Sequence, residues 1–207
     1  MMKELFIKGV NMLRKLVAIT TAFFICIGGI FGIGGRAAAA TPAADPENTL
    51  IMEIADHNGK SKGSVTIEMR PDLAPNHVKR IKELVRKKFY DGVPFHRVIE
   101  GFMAQTGDPT GTGTGGSGQK LKAEFSSEPH LRGTVSMARA SDPNSADSQF
   151  FICFAQSSFL DGQYTVWGKV TDGMDKVDTI KKGAEGSGTV TNPDKIVTLR
   201  VAADLKK

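Results

Sequence analysis

The segment of residues 148–154 (SQFFICF) restricts the fold more than any other stretch, because it carries aromatic side chains on both faces of a predicted strand. Successive residues of a strand point to opposite sides of the sheet, so Phe150 and Ile152 lie on one side and Gln149 and Phe151 on the other. One face must serve the hydrophobic core. The other face must then be covered or form a binding surface.

The remainder of the chain contains more short apolar runs and little helix. Strands are predicted over residues 50–54, 65–69, 95–99, 102–106, 133–140, 148–154, 164–170 and 195–202, and helices from Pro75 to the turn at residues 90–92 and from Asp172 to about Lys181. Strands and helices do not alternate, and both strand faces are too apolar for a sheet with one solvated side. We therefore predict a mainly β fold, a closed eight-stranded antiparallel β-barrel capped by two α-helices.

The first predicted helix is amphipathic. Its apolar face includes Val78 and Ile81, and its opposite face carries several basic residues, among them Arg80 and Arg86. A basic face of this kind is usually solvated. Contact with an anionic membrane surface is the alternative.

Residues 1–40 have the sequence pattern of an export leader. Arg14 and Lys15 precede an apolar run over residues 16–33, and residues 37–40 are four alanines that offer cleavage sites. This pattern predicts a signal peptide and a periplasmic or secreted protein, with an uncleaved inner-membrane anchor facing the periplasm as the alternative. A linker is predicted over residues 41–48, and a single folded domain over residues 49–207.

The net charge of +5 comes mostly from this leader. Of the 27 Lys and Arg and the 22 Asp and Glu, five basic residues and one acidic residue lie within residues 1–40, which leaves 22 and 21 for residues 41–207. A nearly neutral domain gives no electrostatic argument for nucleic-acid binding. No metal-ligand spacing is present, so we predict neither a metal nor a cofactor.

Residues 95–108 (FHRVIEGFMAQTGD) predict two strands that meet at Glu100 and Gly101. Alternation places Phe95, Arg97 and Ile99 on one face of the first strand. In the second strand it places Phe102 and Ala104 on one face, and Met103 and Gln105 on the other. Polar groups beside apolar side chains are the composition of a ligand site. The alternative is a solvated arginine above ordinary core residues.

Residues 113–118 match the pattern G-x-G-x-x-G of dinucleotide-binding loops. No amphipathic helix follows them, and no strand-helix-strand unit surrounds them. We interpret the segment as a flexible surface loop that is able to approach a ligand.

Four segments resemble the signature segments of the cyclophilin family of peptidyl-prolyl cis/trans isomerases: FHRVIEGFMAQTGD, GTGG at residues 113–116, SQFFIC at residues 148–153 and FLDGQYTVWGKV at residues 159–170. The resemblance covers about residues 49–203. It implies the barrel described above with a proline-binding groove on its outer surface. It also implies that the substrates are proline-containing unfolded or flexible polypeptides, bound here by a chain that we expect to be a monomer.

The resemblance also implies roles for individual residues. Arg97 matches the catalytic arginine, Gln105 and Gln149 match polar contacts to the substrate, and residues 138–140 match the segment along which the peptide backbone lies. The implied site residues beside Arg97 are Phe102, Met103, Gln105, Ala138, Arg139, Ala140, Gln149, Phe151, Phe159, Leu160 and Tyr164.

Three positions depart from the best-known eukaryotic members. Phe159 stands in place of Trp, Tyr164 in place of His and Arg139 in place of Asn, and all three resemble the exported bacterial branch of the family. The tryptophan contributes to binding of the drug cyclosporin, so tight binding of that drug is not implied here. Two alternatives to an isomerase are a non-catalytic module or chaperone that holds proline segments, and a barrel that carries a small apolar ligand inside.

Overall fold

The computed structural model describes residues 45–206. The predicted leader and residues 41–44 of the predicted linker lie outside them. Residues Pro46–Asn48, which belong to the predicted linker, form a short 3-10 helix directly before the first strand.

The described chain folds into eight antiparallel strands and two α-helices. The strands are β1 (Thr49–Ala55), β2 (Ser61–Met69), β3 (Arg97–Ile99), β4 (Met103–Thr106), β5 (Thr134–Met137), β6 (Phe150–Cys153), β7 (Val166–Asp172) and β8 (Lys195–Val201), and the helices are α1 (Pro75–Arg86) and α2 (Met174–Asp178). The mainly β class, the number of strands and the number of helices are confirmed.

The eight strands form one curled sheet with the order β3-β4-β6-β5-β7-β2-β1-β8. Its two edge strands do not pair with each other, so the sheet is an open half-barrel and the predicted closed barrel is wrong. The irregular segment of residues 183–190 covers the outer edge of β3 instead. The amide of Val98 donates to the carbonyl of Gly188 at 2.7 Å, and the amide of Gly183 donates to the carbonyl of Val98 at 2.9 Å. A covered edge has its backbone groups satisfied without closure.

The concave side of the sheet holds the main hydrophobic core. The rings of Phe150 and Trp167 pack edge to face at 5.4 Å between centroids, and Tyr90 contacts Phe150 in the same way at 5.6 Å. The hydroxyl of Tyr90 donates to the carbonyl of Ser148 at 3.0 Å, which satisfies this buried polar group. These large side chains fill the space in which an interior ligand would have to bind.

Helix α1 begins at Pro75, as predicted, and its N-terminus is capped from a distant part of the chain. Ala74 has no side chain that could cap the helix, and the carboxylate of Glu124 accepts hydrogen bonds from the amides of Asn76 and His77 at 3.1 and 3.0 Å. A carboxylate at this end of a helix satisfies free N–H groups and interacts favourably with the helix dipole.

The basic face of α1 differs from the prediction. Arg80 is buried rather than solvated, and its Nη2 donates to the hydroxyl of Ser117 at 2.9 Å. Arg86 pairs with Glu47 and Asp204, which ties both ends of the described chain to the helix. Within residues 45–206, no helix has the length and apolar character needed to cross a membrane.

Candidate active site

A second apolar cluster lies on the convex side of the sheet, separate from the main core. Met103, Phe151, Cys153 and Leu160 are buried in it. Phe150 and Ile152, their neighbours on β6, point into the main core instead. The two faces of β6 therefore serve two different clusters, as the alternation in residues 148–154 predicts.

An open pocket of about 380 Å³ lies above this second cluster. It is lined by Arg97, Phe102, Met103, Gln105, Ala138, Arg139, Phe151, Phe159, Leu160, Gln163 and Tyr164. We call it the apolar pocket. A pocket with a mostly apolar floor and a few polar groups at its edge is typical of a ligand site.

A second pocket of about 280 Å³ adjoins the first and shares Gln105, Ala138 and Arg139 with it. The remaining residues of its wall are Gly113, Thr114, Gly115, Lys120, Ala140, Ser145, Asp147 and Gln149. We call it the polar pocket. Every site residue implied by the sequence lines one of these two pockets, and their roles in binding stay predictions.

Two of the faces predicted for residues 95–108 are wrong. Phe95 is fully buried in the main core, whereas Arg97 and Ile99 lie on the convex side. Phe102 lines the apolar pocket, although Ala104 belongs to the main core. Both phenylalanines lie outside the strands, which begin at Arg97 and Met103, so the alternation of a strand does not apply to them.

Arg97 is held by two acceptors at the edge of the apolar pocket. Its Nη1 donates to Oε1 of Gln105 at 3.3 Å, and its Nε donates to the carbonyl of Ser187 at 3.2 Å. Arg97 and Gln105 face each other in the register of β3 and β4. Neither acceptor is charged, so the guanidinium is oriented while its positive charge remains free to act on a ligand.

A chain of hydrogen bonds continues from Gln105 into the glycine-rich loop. Nε2 of Gln105 donates to Oε1 of Gln149 at 2.9 Å. Nε2 of Gln149 then donates to the carbonyls of Gly113 and Gly115 at 3.0 and 2.9 Å. The loop of residues 113–118 therefore supports the polar side of the site. Its glycines, which match a dinucleotide-binding motif, serve this supporting role.

Two buried carboxylates hold the loop in place. The Asp108 carboxylate accepts from the amides of Thr110, Gly113 and Gly115 at 2.8, 2.6 and 3.1 Å. Burial alone would raise the pKa of Asp108, but these bonds and one from the Thr110 hydroxyl outweigh burial and lower it to about 2. At the far end of the loop, the Asp147 carboxylate accepts from the amides of Ser117 and Gly118 at 2.7 and 3.1 Å. Neither carboxylate carried a sequence signal for this role.

A β-carbon at Gly115 would overlap the Asp108 carboxylate, and one at Gly116 would lie 2.8 Å from Oδ2 of Asp147. Only glycine allows the backbone to approach these carboxylates so closely. The glycine content of this loop is therefore a packing requirement.

Aromatic contacts form the outer rim of the apolar pocket. Phe159 is 65% exposed and packs against Phe102, with 5.3 Å between ring centroids. The guanidinium carbon of Arg139 lies 4.5 Å from the centre of the Tyr164 ring, which is the geometry of a cation–π contact. Gln163 completes this rim, and the sequence predictions did not include it.

Two titratable groups beside the site, Cys153 and His96, are buried. Burial raises the pKa of the Cys153 thiol to about 12, so this thiol stays protonated at neutral pH and is a poor nucleophile. His96 is buried and burial lowers its pKa, but neither ring nitrogen has a hydrogen-bond partner among residues 45–206.

A curled antiparallel half-barrel with an oriented arginine beside an apolar pocket on its convex face is the arrangement of a prolyl isomerase. Residues 50–201 match the family described as cyclophilin type peptidyl-prolyl cis-trans isomerase/CLD. The chain belongs to this family, and its function is peptidyl-prolyl cis-trans isomerisation.

Curated relatives and solved structures agree with this assignment. A probable peptidyl-prolyl cis-trans isomerase of Brucella suis is 56% identical over 177 residues, which cover 79% of this chain and 87% of that protein. A peptidyl-prolyl cis-trans isomerase of Helicobacter pylori is 45% identical over 127 residues, which cover 59% of this chain and 77% of that protein. The crystal structure of a cyclophilin from Hirschia baltica is 31% identical, with a TM-score of 0.68 over 78% of this chain and 76% of that one.

A solved cyclophilin-type isomerase of Cryptosporidium parvum, crystallised in the presence of the dipeptide Ala-Pro, is 28% identical to this chain. It superposes with a TM-score of 0.66 and covers 74% of this chain and 98% of that one.

Proposed function

We propose that Arg97 is the catalytic residue with which this isomerase accelerates rotation about Xaa-Pro bonds, and that its substrates are exported proteins during folding. The observation that carries the catalytic proposal is the oriented guanidinium of Arg97 at the edge of the apolar pocket.

The reaction requires the amide bond to twist but not to break. Amide resonance sets a rotational barrier of about 18–20 kcal/mol, and twisting the bond removes this resonance. A site that favours the twisted form over both planar forms lowers the barrier without a nucleophile or an acid–base pair.

Arg97 stabilises the twisted form through a hydrogen bond. In the twisted amide the prolyl nitrogen regains a localised lone pair, and Arg97 donates an N–H to it. A hydrogen bond from a charged donor contributes about 1.5–3 kcal/mol, which corresponds to a rate factor of about 10 to 100. The planar amide offers no such acceptor, so the bond acts on the transition state.

The apolar pocket supplies the remaining stabilisation by holding the prolyl ring. Met103, Phe151 and Leu160 are buried in its floor, and the ring of Phe102 forms one side. Gln105 and Gln149, together with the backbone of residues 138–140, bind the neighbouring peptide groups. The ring is fixed in a dry environment while the residue before it rotates, which favours the twisted geometry.

The test of this proposal is isomerisation of a short proline peptide by the purified domain and by its Arg97→Ala variant. Refolding of a protein whose slow phase is limited by proline isomerisation tests assistance in folding. The proposal predicts that the wild-type chain accelerates both reactions. A wild-type rate in the Arg97→Ala variant would overturn the role of Arg97.

The export of the protein is proposed on the pattern of its first 40 residues. Basic residues before an apolar run, with alanines after it, support a periplasmic or secreted location, and an uncleaved segment would tether the domain to the inner membrane. Cell fractionation followed by N-terminal sequencing distinguishes these two forms. A chain found in the cytoplasm with its first residues intact would refute export.

We also propose that the domain acts as a monomer. The proposed mechanism uses only residues that line the two pockets of one domain, and it needs none from a second copy. Sedimentation at several concentrations tests this, and a stable dimer would contradict it.

A further inference from the structure

The charged residues around the two pockets are mostly basic. Three of them are cationic and one is anionic: Arg97, Lys120, Arg139 and Asp147. The Asp147 carboxylate is already occupied, because it accepts from the amide and the hydroxyl of Ser117 at 2.7 and 2.5 Å and lies 3.7 Å from Nζ of Lys120. The electrostatic potential that a bound peptide meets is therefore positive.

Arg139 makes the largest uncompensated contribution to this potential beside Arg97. Its guanidinium donates to the carbonyls of Gln163, Ala140 and Ser141 at distances of 2.9 to 3.2 Å. Carbonyl acceptors fix the orientation of the guanidinium but do not neutralise it. Among the described residues, no carboxylate pairs with Arg139.

Arg139 also lies where the two pockets meet, since it lines both of them. Consecutive residues of a peptide are about 3.8 Å apart, so a peptide with its proline in the apolar pocket places a flanking side chain near Arg139. That side chain would meet a rigid, half-buried guanidinium stacked on Tyr164. Little conformational entropy would be lost when a carboxylate binds there.

We propose that Arg139 is a specificity-determining residue, which makes this isomerase prefer substrates with an Asp or Glu side chain within three residues of the proline. The carboxylate pairs with the guanidinium of Arg139, and Lys120, which also lines the polar pocket, adds a weaker attraction because the Asp147 carboxylate lies 3.7 Å from its Nζ. This inference rests on the proposed mode of substrate binding in the apolar pocket.

The expected preference follows from the strength of ion pairs at a partly exposed site. An exposed pair changes binding by about two- to fivefold, and a lysine at the same peptide position is disfavoured by a similar factor. We therefore expect kcat/KM for a glutamate peptide to exceed that for the matching lysine peptide by about three- to twentyfold at low ionic strength. The glutamine peptide should lie between them.

The experiment measures kcat/KM for peptides that differ only in Glu, Gln or Lys at each position from three residues before to three residues after a single proline. The enzymes are the wild type, Arg139→Gln, Arg139→Glu and the matched control Lys79→Gln. Lys79 is an exposed residue of α1 that lines neither pocket. The readout is the ratio of kcat/KM for the glutamate peptide to kcat/KM for the lysine peptide. A general loss of activity lowers both values and leaves this ratio unchanged.

At the preferred position, we expect the wild-type ratio to fall towards one in Arg139→Gln and below one in Arg139→Glu, and to stay unchanged in Lys79→Gln. A wild-type ratio within about twofold of one at every position would overturn the proposal, and so would a ratio that Arg139→Gln leaves unchanged. The glutamine peptide separates the two proposals: if it is isomerised while the ratio is one, the proposed function stands and only the specificity fails.

A measurement on the unaltered enzyme keeps the proposal testable if the Arg139 variants do not fold. The ratio for the wild type should fall towards one as salt is raised from about 0.01 M to about 0.5 M, because exposed charges are screened. Lys120→Gln should lower the ratio by a smaller factor than salt does. A ratio that is independent of salt would contradict an electrostatic preference.

Discussion

The guanidinium of Arg97 donates to the side-chain oxygen of Gln105 at 3.3 Å, across the β3–β4 pair. Gln105 in turn donates to Gln149, and Gln149 donates to two carbonyls of the glycine-rich loop. The orientation of Arg97 is therefore coupled to a loop that it does not touch directly. This coupling leads to separate predictions for the arginine, the glutamines and the carboxylates.

Replacing Arg97 by alanine should remove most of the catalytic activity and leave the fold intact. The side chain is half-buried on the convex face and contributes little to the core, and the lost bond to the twisted amide corresponds to a factor of about 10 to 100 in kcat/KM. The measurement is peptide isomerisation with thermal unfolding beside it. Arg70→Ala is the matched control, since Arg70 lines neither pocket, and its activity should remain near that of the wild type.

Replacing Gln149 by leucine should lower kcat/KM by about three- to tenfold through its effect on Arg97, because Gln105 loses the acceptor that orients it. The expected signature is non-additivity. The double variant Arg97→Ala with Gln149→Leu should lose less activity than the product of the two single losses predicts, because in that background only the direct contact of Gln149 with the substrate remains to be lost. Fully additive losses would mean that Gln149 acts on the substrate independently of Arg97.

The rate should change little with pH between about 6 and 9, because a guanidinium stays protonated throughout this range. The Cys153 thiol beneath the pocket has its pKa raised to about 12 and also stays protonated. The measurement is kcat/KM for a peptide without titratable side chains at constant ionic strength. A bell-shaped profile would indicate a titrating catalytic group and would refute the role given to Arg97.

Asp108 should make the protein less stable in acid. Its pKa is lowered from 3.8 to about 2 in the folded state, so the unfolded chain binds more protons between these values. The stabilisation is therefore complete above about pH 4 and is lost as pH falls towards about 2, with a size of about 2 kcal/mol.

The measurement for Asp108 is urea unfolding of the wild type and of Asp108→Asn across this pH range. The variant should be less stable than the wild type at neutral pH, and the difference should shrink as the pH falls. Asp142→Asn is the matched control, because Asp142 is exposed. A difference between wild type and Asp108→Asn that is constant with pH would show that the carboxylate does not stabilise the loop through its charge.

Local patterns were enough to predict the elements that are regular. Alternation predicted that Phe150 and Phe151 lie on opposite faces of β6 and that Met103 and Gln105 share the convex face, because strand geometry depends only on neighbouring residues. The same reasoning failed at Phe95 and Phe102, which lie just before β3 and β4. Outside the hydrogen-bonded part of a strand, the direction of an apolar side chain depends on which hydrophobic cluster lies close enough for it to pack against.

Contacts between distant parts of the chain decided the remaining features. Burial of Arg80 depends on Ser117, the cap of α1 depends on Glu124, and the half-barrel stays open because residues 183–190 cover the edge of β3. None of these contacts has a local signature, since the partners are far apart in sequence.

The sequence alone determined the class of fold, the family and most of the residues that line the two pockets, because hydrophobic periodicity and short motifs are properties of consecutive residues. Only the tertiary structure decided how the site is held. The Asp108 carboxylate holds the glycine-rich loop because the amides of that loop surround it, and Arg139 lies between the two pockets without a carboxylate partner among residues 45–206. Charge compensation depends on distance in space, and the order of residues along the chain does not encode that distance directly.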